Sequence, residues 1–303
     1  MKIAPKHLTF ISLSGIVAGL IGCIDQISAD LPAPPKRLVV NSILTPDSIF
    51  RVQVSRVTSA TDASSRLLAS AQVSLLASGG TAEVLRSQGN GLYYSITKPT
   101  SGTPYTLQVA VPDYPSVSAT DTVPAPVPIR DAWFSFPTGT DRNKELLGSI
   151  VVRFDDPAQS ANFYEISGYQ ESQFITLDAR GNATLTAEDE SGLNPKSLVF
   201  SDRLFNGKPF ELRASFHPTN GGTSNGVPFT RPPRLVLRSV SRAYYQYRKS
   251  WTRHLYNQGG KGDTYDLTQL LFLGDPSTMY SNVNGGYGVM VGYTAQSVIL
   301  PLR

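Results

Sequence analysis

The sequence predicts an all-β protein with one amphipathic helix: an N-terminal immunoglobulin-like β-sandwich followed by a larger antiparallel β-rich domain. Three observations carry that reading. Only 17% of the 303 residues are charged, against about 25% in ordinary soluble domains. The deficit is filled by Ser, Thr, Tyr, 25 glycines and 22 prolines, a mixture that suits pleated strands and tight turns. Short segments alternate apolar and polar residues at period two, and residues 240–257 depart from that pattern to repeat at the period of a helix. With 40% hydrophobic residues the chain has apolar surface enough for a packed core, which excludes wholesale disorder.

The strands begin at Leu38. Phe50, Val52 and Val54 alternate with Arg51, Gln53 and Ser55; Ala71, Val73 and Leu75 with Gln72 and Ser74; Tyr105, Leu107 and Val109 with Thr106 and Gln108. Pro46-Asp47, Gly79-Gly80, Gly89-Asn90-Gly91, Ser101-Gly102 and Pro112-Asp113 supply the turns. Residues 38–123 thus hold about seven strands, the density of an immunoglobulin-like sandwich. Residues 124–129 form a connector, extended and stiff because Pro124, Pro126 and Pro128 recur at alternate positions and cannot sit in a central strand.

Residues 130–303 form the second domain. Segments 132–136, 146–154, 163–169 and 210–216 read as strands, and 188–192 and 219–225 as loops. The helix near 240–257 places Val240, Tyr244, Tyr247, Trp251 and Leu255 on one face, with Arg242, Gln246, Lys249 and Arg253 elsewhere on the cylinder. Gly259-Gly260 stops it. Residues 280–302 return to strand character, with Asn284-Gly285 as a tight hairpin turn.

At the amino terminus, Lys2 and Lys6 precede an apolar run from residue 8 to residue 22. The run is short of the roughly twenty residues a membrane-spanning helix needs and fits a signal peptide. It ends in Leu20-Ile21-Gly22-Cys23, which resembles a bacterial lipobox: a small residue admits the peptidase, and Cys23 takes up lipid on its thiol. Residues 1–22 are then the signal peptide and 23–37 a lipidated tether stiffened by Pro32, Pro34 and Pro35. Cys23 is the only cysteine, which excludes disulfide scaffolds, zinc ribbons and iron–sulfur clusters. Losing Lys2 and Lys6 takes the formal charge from +4 to +2, which weakens a nucleic-acid reading that needs a concentrated basic face, and no nucleic-acid partner is expected. The expected location is the outer membrane, lipid-anchored at the cell surface or on the periplasmic face. Asp25 sits one place beyond the position that favours inner-membrane retention.

The sequence assigns no catalytic residue, metal or cofactor. Beyond the signal it has His217 and His254, far apart and without short ligand spacing, so a zinc site built from both is disfavoured. There is no Gly-x-Ser-x-Gly elbow. Asp155-Asp156 and Glu188-Asp189-Glu190 are carboxylates adjacent in sequence, which does not supply the two flanking groups that glycoside hydrolysis needs. The glycines from Gly285 to Gly292 lack phosphate-loop spacing. Asp202, before the Asn206-Gly207 turn, caps that turn or meets a partner. Arg242, Lys249 and Arg253 form a solvated helix face or meet anionic headgroups or an acidic partner.

Several motifs resemble, in this order, a family of Bacteroidota cell-envelope lipoproteins, the domain-of-unknown-function 4249 family. They are the lipobox; Leu38-Val39-Val40-Asn41-Ser42-Ile43-Leu44-Thr45-Pro46-Asp47; Tyr105-Thr106-Leu107; Ala119-Thr120-Asp121-Thr122-Val123-Pro124; Phe200-Ser201-Asp202-Arg203-Leu204-Phe205-Asn206-Gly207-Lys208; the helix with Tyr244 and Tyr247; and Tyr280-Ser281-Asn282-Val283-Asn284-Gly285-Gly286-Tyr287-Gly288. The resemblance implies an outer-membrane lipoprotein associated with TonB-dependent transporters. The expected function is therefore a non-catalytic accessory subunit of such a transporter or of another envelope assembly. The alternative is a lipoprotein that captures glycans or peptides directly. Asp47-Ser48-Ile49 and Asp121-Thr122-Val123 also match the short pattern of O-glycan acceptors in Bacteroidota envelopes.

Overall fold

Alternating side chains build one nine-stranded sheet in the computed structural model, faced by a five-stranded sheet around one core and a three-stranded sheet around the other, beside a small two-stranded sheet. The structure describes residues 34–303 except 60, 61, 63, 180–181, 189–197, 219–221, 225–226 and 258–276. The lipobox, most of the tether and Gly259-Gly260 lie outside the described residues, as do Asp189 and Glu190 of the acidic run. Residues Pro35–Arg303 cluster as one unit.

In chain order the strands are β1 (Leu38–Leu44), β2 (Arg51–Arg56), β3 (Gln72–Ala77), β4 (Ala82–Val84), β5 (Arg86–Ser87), β6 (Leu92–Tyr94), β7 (Pro104–Ala110) and β8 (Val117–Thr122). Then come β9 (Ile129–Thr140), β10 (Leu146–Asp155), β11 (Phe163–Gln170), β12 (Gln173–Ile175), helix α1 (Ala183–Glu188), β13 (Leu198–Ser201) and β14 (Pro209–Phe216). The chain ends with β15 (Gly222–Ser224), β16 (Val227–Phe229), β17 (Arg234–Val240), helix α2 (Arg242–Asn257), β18 (Val283–Asn284) and β19 (Tyr287–Ile299). The protein is all-β with mainly antiparallel sheets, as expected, and one parallel pairing joins β1 to β19.

The first sandwich sets β1-β2-β6-β5 against the five-stranded sheet β18-β8-β7-β3-β4. Period two does the sorting. Val52 and Val54 of β2 point inward while Arg51 and Gln53 stay wet, and Leu107 and Val109 do the same on β7. Residues 38–123 contribute eight strands where about seven were expected; the short β5 has no apolar alternation to betray it.

The second sandwich sets β12-β11-β17-β19, with β13, against β14-β10-β9. Its centre is aromatic: Phe154 lies 4.7 Å from Tyr164 and 5.3 Å from Phe210 between ring centroids, and Phe205 stacks on Phe210 at 4.2 Å. Truncating such a ring to alanine costs about 3–5 kcal/mol. Segment 219–225, expected as a loop, contains β15, which pairs with β16. Helix α1 was not anticipated. Its signal is Asn182, whose Oδ1 accepts from Thr184 N at 3.0 Å and Leu185 N at 3.2 Å as an N-cap.

One strand belongs to both sandwiches. Residues Tyr287 to Gly292 of β19 run parallel to β1, and residues Tyr293 to Ile299 run antiparallel to β17. Val283 and Met290 join the core built by residues 38–123, whereas Leu300 joins the other. The Asn284-Gly285 turn also differs from expectation. It does not close a hairpin, because β18 pairs with β8 and β19 with β1. The chain there crosses from one sheet of the sandwich to the other.

The proline connector is tied down along its length. Gly102 N donates to Val123 O at 2.7 Å, Val127 N to Ser239 Oγ at 3.1 Å, and Ile129 N to Gln296 Oε1 at 2.9 Å. Prolines have no amide to satisfy, so a few side chains anchor the strap, and Val123 and Val127 are buried beneath it.

Candidate functional site

Helix α2 is the most distinctive element. Its sequence RAYYQYRKSWTRHLYN contains four Lys or Arg and no carboxylate, yet it is seated over three acids from distant strands and a helix end. Ser241, the residue before the helix, is the N-cap: its Oγ accepts from Tyr244 N at 3.1 Å. The same hydroxyl donates to Asp121 Oδ2 at 2.5 Å, and that oxygen also accepts from Gly292 N at 2.7 Å. Asp121 of β8 is thereby joined to the helix start and to β19.

The second seat is Glu165 of β11. Its neighbours Tyr164 and Ile166 point into the core, so period two turns Glu165 to the other face, where α2 covers it. Arg238, its register partner on β17, donates to Oε2 from Nη1 at 2.8 Å. Tyr244 OH donates to the same oxygen at 2.8 Å, and Arg248 Nε lies 3.3 Å from Oε1. Burial, then the negative charge of Glu165, pushes the Tyr244 phenol well above its ordinary range. The third seat is Glu188 at the end of α1. Ser201 Oγ donates to it at 2.5 Å and Tyr245 OH at 2.6 Å, and Lys249 Nζ donates to its backbone oxygen at 3.0 Å.

Ser241, Tyr244, Tyr245, Arg248 and Lys249 therefore form a polar stripe at the i, i+3, i+4, i+7, i+8 spacing of one helix face. The face expected to be buried is only partly so. Val240 ends β17 and is not helical, and Ala243, Tyr244 and Tyr247 pack with Val289 and Val291 of β19. Trp251 and Leu255 are 37% and 42% exposed. An apolar stripe was the only docking face visible in sequence, because the acids that seat the helix lie up to 120 residues away.

The candidate contact residues separate. Asp202 is buried; its Oδ2 accepts from Asn162 N at 2.8 Å and its carbonyl from Phe205 N at 2.7 Å, so it fixes the turn. Beside it, Asp156 Oδ1 accepts from Tyr164 OH at 2.5 Å and Oδ2 from Gly207 N at 2.8 Å. Burial foremost, with repulsion from Asp202, raises the Asp156 pKa against those bonds. Lys249 is committed to Glu188, whereas Arg242 and Arg253 are exposed. Of the two Asp-Ser/Thr-apolar motifs, Asp47-Ser48-Ile49 is an exposed turn, and Asp121 is locked under α2.

Among the described residues, one group of side chains could hold a metal. Asp141, Glu145 and His217 each offer a ligand atom within 4.8 Å of the others. The sequence considered His217 with His254, whereas the fold joins His217 to a hairpin tip. No described helix is long and apolar enough to cross a membrane.

A search of curated proteins finds no match. A family model matches residues 24–298, which include both sandwiches, helix α2 and its three acidic seats. The chain therefore belongs to the family described as a domain of unknown function, DUF4249.

Proposed function

We propose that the protein is a lipid-anchored, non-catalytic accessory subunit of a Bacteroidota outer-membrane assembly, with a TonB-dependent β-barrel transporter as its partner. The observation that carries this reading is helix α2. Its first turns are fixed on three acids, and toward its C-terminal end the face that carries Tyr244 and Tyr247 leaves Trp251 and Leu255 partly exposed, with Arg253 exposed elsewhere on the cylinder. A rigid helix with exposed aromatic and aliphatic groups at i and i+4 is suited to docking, because little side-chain or backbone freedom remains to be lost on binding. The buried carboxylates Asp156 and Asp202 are spent on internal hydrogen bonds. The Leu20-Ile21-Gly22-Cys23 order supports the anchor.

The test is affinity purification of the full chain from envelopes solubilised in mild detergent. An outer-membrane β-barrel identified by mass spectrometry should be retained, and lost with the paired Trp251→Ala and Leu255→Ser substitutions. Recovery of the lipoprotein alone across detergents overturns the accessory role. Cys23→Ser should separately move the chain from the membrane to the soluble fraction.

A further inference from the structure

We propose that Asp141, Glu145 and His217 form a binding site for a divalent transition-metal ion, with Zn²⁺ as the fitting ion. Three neighbouring strand ends supply the ligands. Asp141 follows β9, Glu145 precedes β10, and His217 follows β14, in a sheet ordered β14-β10-β9. The ladder brings them together: Thr140 pairs with Leu146, and Gly148 with Phe216, so both flanks of β10 deliver a side chain to the same end.

The imidazole stands near both carboxylates without a hydrogen bond to either. His217 Nε2 lies 3.9 Å from Asp141 Oδ2, and His217 Nδ1 lies 3.7 Å from Glu145 Oε2. Both exceed hydrogen-bond length. These approaches use different imidazole nitrogens, of which one ion takes only one; one ligand atom from each of the three side chains lies within 4.8 Å of the others, and a tetrahedral Zn²⁺ with bonds of about 2.1 Å would draw them to about 3.4 Å. Asp141 is oriented before any ion arrives. Its Oδ1 accepts from Asn143 N and Glu145 N, both at 2.8 Å, which leaves Oδ2 turned toward the imidazole. Two carboxylates balance a divalent charge, and the imidazole nitrogen favours zinc over the purely oxygen-seeking magnesium and calcium. Three protein ligands on an exposed rim leave a fourth position for water or for a side chain of another protein.

The experiment titrates the detergent-solubilised full chain with zinc chloride by calorimetry, and records zinc X-ray absorption on the wild-type chain loaded with one equivalent. One ion should bind, with imidazole and oxygen in its coordination shell and no sulfur. His217→Gln and Asp141→Asn should each weaken binding more than about tenfold, and His254→Gln should leave it unchanged. Binding weaker than about 1 mM, binding undiminished in the first two variants, or a sulfur-coordinated ion from Cys23 would overturn the proposal. The absorption spectrum needs no variant, so the proposal stands or falls even if a substitution disturbs folding.

Discussion

The hydroxyl of Ser241 donates to the carboxylate of Asp121 at 2.5 Å, across 120 residues of chain, while it caps the first turn of helix α2 through Tyr244 N. One short contact thus ties the end of the first sandwich to the start of the helix, and Gly292 N adds the strand that both sandwiches share.

That contact makes stability depend on pH. Burial raises the Asp121 pKa from 3.8 to about 6, against the hydrogen bonds from Ser241, Thr122 and Gly292. Between those values the folded state holds more protons than the unfolded one, so the stability present below about 3.8 is lost as pH rises through about 6. The loss is at most about 3 kcal/mol. Asp121→Asn keeps one oxygen for Ser241 and Gly292 and cannot ionise. Denaturant melts at pH 5 and pH 8 should differ less in this variant than in the wild type.

Glu165 is the counter-charge for Arg238 and Arg248 in a site it shares with the Tyr244 hydroxyl. Glu165→Ala leaves those guanidinium groups without it and should destabilise the protein by about 3–5 kcal/mol. Glu165→Gln, which still accepts hydrogen bonds, should cost less. Urea unfolding followed by tryptophan fluorescence measures both, and equal losses would show that charge is immaterial there.

Two glycines let β19 lie against its neighbours. Gly288 has φ +108°, and a Cβ on it would stand 2.0 Å from Val40 O; at Gly292 a Cβ would stand 2.5 Å from Thr122 O. The obstacles are backbone atoms and cannot rotate away. Gly288→Ala and Gly292→Ala should each cost on the order of 3 kcal/mol, readable as a lower Tm. Gly79→Ala, also at positive φ but with open space around its Cβ, should cost only about 1 kcal/mol.

Trp251 touches Tyr247 and His254 along the helix but is partly exposed. Trp251→Ala should lower stability by no more than about 1 kcal/mol and still remove most partner retention from solubilised envelopes. A large loss of Tm with partner binding intact would assign this side chain to packing.

The strand segments were legible because each carries its own alternation. Val52 and Val54 inward with Arg51 and Gln53 outward is a local fact of one strand. The short β5 carries no such pattern, and α1, whose local cue is the capping side chain of Asn182, was not anticipated. The helix was legible in extent, yet its seating was not. Tyr244 could be placed on a face, but nothing near it in sequence says that Glu165 waits there, 79 residues away. The same holds for His217, whose companions Asp141 and Glu145 stand at the tip of another hairpin.

By itself the sequence determined the all-β class and the position of helix α2, because periodicity acts over a few neighbouring residues. Tertiary structure alone decided that β19 serves two sandwiches, that the connector is strapped by Ser239 and Gln296, and that a basic helix rests on Asp121, Glu165 and Glu188. These relations pair residues distant in the chain. Their energy comes from removing charges and amides from water together, a condition met only once the sheets have brought the partners into place.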